Sequence, residues 1–371
     1  MSNHLSTLFD DFDRGRLSRR QLLAALGLAV AINPSAAFAQ GQCGGARKGT
    51  PECDPTPAKL PFEPTGWKTV LLDHFACQVV DYPKEAAFYA ALMNWKIRSD
   101  DGKQAMLDIG DWGGLVLRGG YVAPPSPPPS AAPNPPAGGA GRGGQGGAPR
   151  PPRNAAFDGF CWGIEPWDTK TVEAELKKRG LSPVADHKGS FQSFHVKDPD
   201  GFALQISNGN RKNRRQGPAN GKTSASAPFE STNWQTVWLD HISFEASNYK
   251  ETAAFYHALL GWKLGEDEGS QNSCDIGDIG GIIIRRGNRG AAAGGPPQPR
   301  RASMGHISFG ISSFDPDQVK AELTKRGLNA REDTGGRGDI HTAPYKSYHT
   351  TTPNGFDLQI SATTRATRND G

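Results

Sequence analysis

Apolar residues in the first part of this chain follow the spacing of a strand and then that of a helix. Residues 69–80 are mostly apolar and rich in β-branched side chains, which predicts a buried strand. Asp81 and Pro83 supply a helix N-cap and an early proline, and Phe88 and Leu92 share one face of the helix that follows. The pattern predicts a strand that leads directly into a helix.

Shorter apolar runs continue this pattern. Residues 104–108 and 115–117 predict two strands around a glycine-containing turn. Further along, Asp168 caps a second predicted helix, in which Val172 and Leu176 are four residues apart. Each half of the region therefore predicts the order strand, helix, strand, strand.

The whole pattern occurs twice. Residues 67–74 return as residues 234–241, 167 positions later, and residues 194–207 return as residues 348–361. A repeat of this length indicates a duplicated domain, in which each copy buries its own core, rather than a solenoid of short repeats. A chain of 371 residues is long enough for two such domains.

Composition sets the predicted domain boundaries. Residues 121–153 are mostly proline, glycine and alanine, and a shorter stretch of similar character covers residues 287–301, so both are predicted to be exposed connectors. The predicted segments are an export signal at 1–39, an N-terminal linker at 40–66, a first domain at 67–210 with the insert 121–153, a linker at 211–233, a second domain at 234–364 and a tail at 365–371.

The amino terminus resembles a twin-arginine export signal. Arg19 and Arg20 precede an apolar stretch that runs to Ile32, and residues 37–39 have the small-x-small form that signal peptidase cleaves. A retained membrane anchor is the alternative, but the apolar run is too short to span a bilayer comfortably. We therefore expect a periplasmic or secreted protein without a stable membrane anchor.

Charge and cysteine content limit which binding partners and which cellular compartment are expected. The net charge of +4 is too small to argue for a nucleic-acid partner. Of the five cysteines, Cys43 and Cys53 are close enough in sequence to pair in an oxidising compartment. Cys77, Cys161 and Cys274 fall in apolar strands and are predicted to be buried thiols.

Three features of each copy resemble the vicinal oxygen chelate superfamily, which includes glyoxalase I, bleomycin-resistance proteins and extradiol dioxygenases. They are an Asp-His pair in the first strand, the sequence AAFY on the first helix, and an Asp-Pro-Asp-Gly-type turn before the last strand. In this chain they are Asp73-His74, residues 86–89 and residues 198–201 in the first copy, and Asp240-His241, residues 253–256 and residues 352–355 in the second. The resemblance implies an α+β fold of two tandem domains, each a pair of βαββ modules forming a cupped mixed sheet, and it leaves the reaction open.

For the second copy the resemblance also implies a metal site. Family members take one ligand from the first strand of each half and another from a last strand. The matching residues are His241, His306 and Gln359, with glutamine where the family usually has glutamate. A divalent ion held in this way (Fe, Mn, Zn or Ni) keeps coordination positions for two neighbouring substrate oxygens.

The first copy matches this ligand set only in part. His74 and Gln205 occupy the corresponding strands, but Gly159 stands where the second copy has His306. The resemblance therefore implies a weaker second site, or none. Each of these histidines has a structural alternative, since a strand imidazole also satisfies backbone groups in a core.

Two further histidines are candidate catalytic residues. His341 and His349 precede Gln359 at spacings that approximate the signature of extradiol dioxygenases, with His349 in place of the usual tyrosine. An imidazole facing the same cavity would act as an acid or base near neutral pH. The alternative is a polar residue at the mouth of a half-open sheet.

Other residues around these histidines are weaker candidates. His187 and His195 repeat the spacing in the first copy. Tyr345, Tyr348 and Trp238 are candidates to line the cavity, although an aromatic residue on a strand belongs to the core more often.

Three functional hypotheses follow. The first is a metal-dependent enzyme whose second domain acts on a small substrate with adjacent oxygens, by ring-cleaving oxygenation, isomerisation or lyase chemistry. The second is a metal-free protein of the same fold that binds a small molecule, as resistance proteins do. The third is a degenerate pair in which the first copy mainly supports the second. Internal pairing of the two copies would allow the chain to act as a monomer.

Overall fold

The computed structural model describes residues 58–122, 154–214, 218–287 and 300–367. The predicted export signal, Cys43, Cys53 and nearly all of the insert lie outside these residues. Within the described ranges, no helix combines the length and the apolar character that a membrane crossing requires.

Each copy forms eight strands and two helices in the described part of the chain. The first copy contains β1 (Lys68–Val79), α1 (Tyr82–Leu92), β2 (Lys96–Asp100), β3 (Gln104–Ile109), β4 (Gly113–Arg118), β5 (Ala155–Glu165), α2 (Thr169–Lys178), β6 (Val184–Ala185), β7 (Ser193–Lys197) and β8 (Ala203–Ser207). The second contains β9 (Thr236–Ala246), α3 (Tyr249–Leu260), β10 (Lys263–Asp267), β11 (Gln271–Asp275), β12 (Gly280–Arg286), β13 (Ser303–Ile311), α4 (Pro316–Lys325), β14 (Arg331–Asp333), β15 (Ser347–Thr351) and β16 (Asp357–Ser361).

Helix ends follow the predicted capping signals. The side chains of Asp81, Asp168 and Asp315 accept hydrogen bonds from backbone N–H groups in the first turns of α1, α2 and α4. Gly180 and Gly327 follow α2 and α4 with positive φ angles, a conformation that other residues reach only at a cost. The caps predicted at Asp81 and Asp168 are therefore confirmed.

Each copy builds one mixed sheet. The strand order is β2-β3-β4-β1-β5-β8-β7-β6 in the first and the equivalent order in the second. β1 runs parallel to β4 and antiparallel to β5, so the first strands of the two modules lie side by side. The predicted α+β fold of two tandem mixed sheets is confirmed, with one addition: three strands rather than two follow each helix. The additional strands, such as β2 and the two-residue β6, lie at or near sheet edges and bury too little to give an apolar pattern.

The two copies pack on each other through reciprocal contacts. The indole nitrogen of Trp95 donates a hydrogen bond to Thr236 Oγ1 (2.8 Å), and that of Trp262 donates to Thr69 Oγ1 (3.0 Å). One continuous apolar core includes buried residues from both sheets. The duplicated halves therefore form a single packed unit, and the expectation that each copy buries a core of its own is wrong because the two sheets share one.

Hydrogen bonds between turns and helices also join the two copies reciprocally. Asn354, in the last turn of the second copy, accepts a hydrogen bond from the backbone of Asp81 and donates to Glu85 on α1. Tyr256 on α3 donates to Asp198, in the last turn of the first copy. The first helix of each copy is therefore hydrogen-bonded to the last turn of the other copy.

Alternation along the strands separates two faces of the second sheet. Phe309 packs against Phe75 of the first copy, with ring centroids 6.5 Å apart, and Ser308 points to the opposite face. The residues at alternate positions on this opposite face are largely polar: His241, Ser243, His306, Ser308, Ser347, His349, Asp357, Gln359 and Ser361. We call it the polar face.

Candidate metal centre

A β-bulge turns two consecutive residues toward the polar face. The register of β9 against β13 skips Asp240, so Asp240 and His241 both point to this side, where they contact Ser308 and His306. The first copy skips Asp73 in the same way. Bulges re-aim side chains next to functional sites. Here the bulge explains how two consecutive residues, Asp and His, can lie on the same face of the sheet.

The two histidines from separate modules converge. Nε2 of His241 lies 3.1 Å from Nε2 of His306. Burial, together with the neighbouring His241 and His349, lowers the pKa of His306 to about 3, so its imidazole is neutral and able to bind a metal. Two nitrogens that each lie about 2.1 Å from one ion come roughly this close to each other. The spacing therefore fits two ligands of a shared metal ion.

Gln359 supplies a third candidate ligand. Its Nε2 donates to Ser347 Oγ (2.8 Å) and Tyr345 Oη (2.9 Å), whose own protons go to the backbone of Asp333 and the carboxylate of Asp240. This arrangement fixes the amide orientation. Because both hydroxyl groups donate their protons elsewhere, they can only accept from Gln359, so the amide nitrogen must face them. Its Oε1 is then buried without a hydrogen-bond partner in the described part of the chain. A buried, unpaired carbonyl oxygen is costly, and a cation would satisfy it.

Asp240 orients His241 from behind. Its Oδ2 accepts hydrogen bonds from Ser308 (2.7 Å) and Tyr345 (2.9 Å) and lies 3.3 Å from His241 Nδ1. Burial alone would raise the pKa of Asp240, but the charge of His241 and these hydrogen bonds hold it well below its usual range. The carboxylate therefore stays ionised and keeps His241 Nε2 directed at His306, as second-layer carboxylates do at metal sites.

His349 occupies a different position in the cluster. Its ring lies 5.0 Å from that of His306, but its Nδ1 contacts Asp357 (3.0 Å) and its Nε2 contacts Asp333 (3.3 Å). Burial would lower the pKa of His349, and the two carboxylates outweigh it and raise the pKa. Atoms of His306, His349 and Asp357 are close enough to share an ion. Because both nitrogens of His349 face carboxylates, however, this residue holds a proton more readily than a metal.

His341 does not join this cluster. It lies in a turn before β15, its side chain is 53% exposed, and its Nε2 is 3.8 Å from Asp317. The next strand, β15, begins only at Ser347 and carries His349 instead. Of the aromatic candidates, Tyr345 reaches the site, whereas Tyr348 and Trp238 are buried in the core.

Among the described residues, the first copy has no comparable centre. His74 contacts Asp73 (2.8 Å), and Gln205 donates to a serine as Gln359 does. Gly159, however, replaces the second imidazole, and a Cβ atom there would meet a backbone oxygen at 2.9 Å. Arg214 also covers the Asp73 carboxylate. Within the described ranges, only the second copy places two imidazoles in contact on the sheet face that carries its glutamine.

Comparison with known proteins identifies the fold. No family model and no curated protein matches the chain. Among solved structures, it is similar to the Mn(II)-bound glyoxalase from Novosphingobium aromaticivorans (TM-score 0.51, 16% identity, covering 80% of this chain and 82% of that one). It is also similar to the 2,3-dioxygenase LapB from Pseudomonas sp. KL28 (TM-score 0.52, 13% identity, covering 79% and 92%). A third is an extradiol ring-cleaving dioxygenase from B. fuscum (TM-score 0.51, 16% identity, covering 83% and 75%).

The chain has the vicinal oxygen chelate fold. Similarity at these identities concerns the fold alone, so the activities of these neighbours are not transferred by it.

Proposed function

We propose that the second copy binds one divalent metal ion through His241, His306 and Gln359. We further propose that the protein is a metal-dependent enzyme acting on a small substrate with two adjacent oxygens. The observation that carries this proposal is the pair of imidazole nitrogens 3.1 Å apart on the same face as Gln359, whose amide oxygen has no hydrogen-bond partner among the described residues. Iron, manganese, zinc and nickel all suit this ligand set, and the Mn(II)-bound glyoxalase neighbour supports a metal in this fold.

The chemistry divides between the ion and the protein. The bound metal would act as a Lewis acid that stabilises negative charge on the substrate oxygens. Asp240 keeps His241 oriented, and Tyr345 links Asp240 to Gln359 through its hydroxyl. His349, held between Asp333 and Asp357, would donate or accept a proton during ring cleavage, isomerisation or elimination.

One observation favours a second candidate function, that of a metal-free binding protein. His241 and His306 are close enough to form a direct N–H···N hydrogen bond without an ion. In that case the polar face would bind a small ligand by hydrogen bonds alone.

Export is a separate proposal, supported by the residues that precede the described structure. Arg19 and Arg20 stand before a short apolar stretch, as in twin-arginine signals. Replacing both with lysine should retain the protein in the cytoplasm, and unchanged export would contradict the assignment.

Isothermal titration with two isomeric diols tests the proposed function. Catechol carries adjacent hydroxyl groups and resorcinol does not, so a chelating metal distinguishes them while simple hydrogen bonding does so weakly. We expect Mn(II)-loaded protein to bind catechol at least about tenfold more tightly than resorcinol, and the His306→Ala variant to lose that preference. Equal binding of both diols, with and without metal, would favour the metal-free candidate.

A further inference from the structure

The first copy contains a second cluster of metal-ligating groups, built on different chemistry. Ligand atoms of Asp73, His74 and Cys161 all lie within 4.8 Å of one another. His74 and Cys161 are directly opposed on β1 and β5, and the bulge at Asp73 turns the carboxylate to the same side. The corresponding position in the second copy is Ser308, so only the first copy offers sulfur here.

Arg214 is positioned against this cluster. It follows β8 and reaches back 141 residues, where its Nε donates to Asp73 Oδ2 (2.5 Å) and its Nη2 to Oδ1 (3.1 Å). Its guanidinium also stacks on Phe191, 4.2 Å from the ring centroid. The Asp73 side chain has no solvent exposure. This forked contact satisfies the carboxylate with a fixed positive charge.

A fixed positive charge at this point opposes a metal ion in two ways. It engages both carboxylate oxygens, and it repels any cation that His74 and Cys161 would otherwise bind. In the described part of the second copy, Asp240 accepts hydrogen bonds from the hydroxyl groups of Ser308 and Tyr345 and lies 3.3 Å from His241 Nδ1. There, Tyr345 stands where the first copy has Phe191.

We propose that Arg214 is the residue that excludes metal ions from the first copy, and that Asp73, His74 and Cys161 form a soft-metal site once its charge is removed. On binding, the Cys161 thiol would release its proton to solvent and bind as the thiolate, the form that suits zinc, cobalt and cadmium. This inference concerns the first copy alone and stands whether or not the second copy binds metal.

Titration of the full chain with Co(II) tests the proposal. A cobalt–thiolate bond gives a charge-transfer band in the near ultraviolet, which nitrogen and oxygen ligands do not give. We expect Arg214→Met, which keeps apolar packing on Phe191 but loses the charge, to bind one more equivalent of Co(II) than the wild type and to show this band. Adding Cys161→Ser should abolish the band, which separates Cys161 from the other cysteines.

Matched variants complete the design. Arg214→Lys keeps a positive charge and should show no band. Arg368 occupies the corresponding sequence position in the second copy, outside the described residues, and Arg368→Met should also show none because Ser308 replaces the cysteine there. A band in the wild type, or its absence in folded Arg214→Met and Arg214→Gln, would overturn the proposal. Failure of both uncharged variants to fold would also overturn it, because Arg214 would then be required as a structural cation.

Discussion

Nε2 of His241 and Nε2 of His306 lie 3.1 Å apart, although 65 residues separate them in the sequence. They meet because the first strands of two modules pair antiparallel as β9 and β13. Each module supplies one imidazole, so the site exists only where the two halves of the second sheet join. Loss of the second histidine is therefore enough to remove the pair, as Gly159 does in the first copy.

The hydroxyl of Tyr345 should strengthen metal binding without touching the metal. It donates to Asp240 and accepts from Gln359, so it fixes both the orienting carboxylate and the amide ligand. We expect Tyr345→Phe to weaken metal affinity by about tenfold or more, as changes to outer-layer partners commonly do, while the protein stays folded. The reverse change in the first copy, Phe191→Tyr, is the control and should leave metal affinity unchanged. Equal affinities of Tyr345→Phe and wild type by calorimetry would contradict this role.

A buried carboxylic acid should make stability depend on pH. Burial raises the pKa of Asp198 to about 6 from a usual 3.8, despite hydrogen bonds from Phe202 and Tyr256. Because the folded state keeps this proton to higher pH than the unfolded state, the contribution to stability is present at low pH and is lost as pH rises from about 4 to 6.

The variant Asp198→Asn removes this one titrating group. It leaves in place the other carboxylates, including those whose pKa values are lowered. Between roughly pH 4.5 and pH 7, the unfolding free energy of the wild type should fall by about 2 kcal/mol relative to that of Asp198→Asn. Urea unfolding of both proteins across this range measures the difference. Parallel pH profiles would show that Asp198 titrates alike in the folded and unfolded states.

The reciprocal packing of the copies predicts one cooperative unfolding transition. Trp95 and Trp262 each anchor one copy to a threonine of the other, inside a shared core. Trp95→Phe and Trp262→Phe should each lower stability by about 1–3 kcal/mol through the lost hydrogen bond and the smaller ring. Both variants should still unfold in a single transition when followed by circular dichroism and by fluorescence. Two separated transitions, with each variant affecting one, would contradict a shared core.

The sequence was sufficient for the architecture because the repeat doubled each local signal. Asp81 and Asn248 cap the first helix of each copy, Asp168 and Asp315 cap the second, and the apolar strands repeat in the same way. The short strands β2 and β10 were missed, because an edge strand that buries little has no distinctive alternation.

The sequence could predict only some of the residues at the site. Asp357 lies two residues before Gln359 on the same strand, so alternation could have placed both on one face. The orientation of Asp240 depends on a bulge, and the contact of Arg214 with Asp73 joins residues 141 positions apart. Neither a bulge nor a long-range ion pair leaves a periodic signal in the sequence.

Elemental analysis of purified protein tests the central claim most directly. We predict close to one equivalent of divalent metal per chain in the wild type and in His74→Ala, and loss of at least about nine-tenths of it in His306→Ala. His74→Ala is the matched control because His74 occupies the position of His241 in the first copy. Metal that persists in His306→Ala and disappears in His74→Ala, or a wild type that binds none after incubation with Mn(II), Fe(II), Zn(II) or Ni(II), would contradict the account.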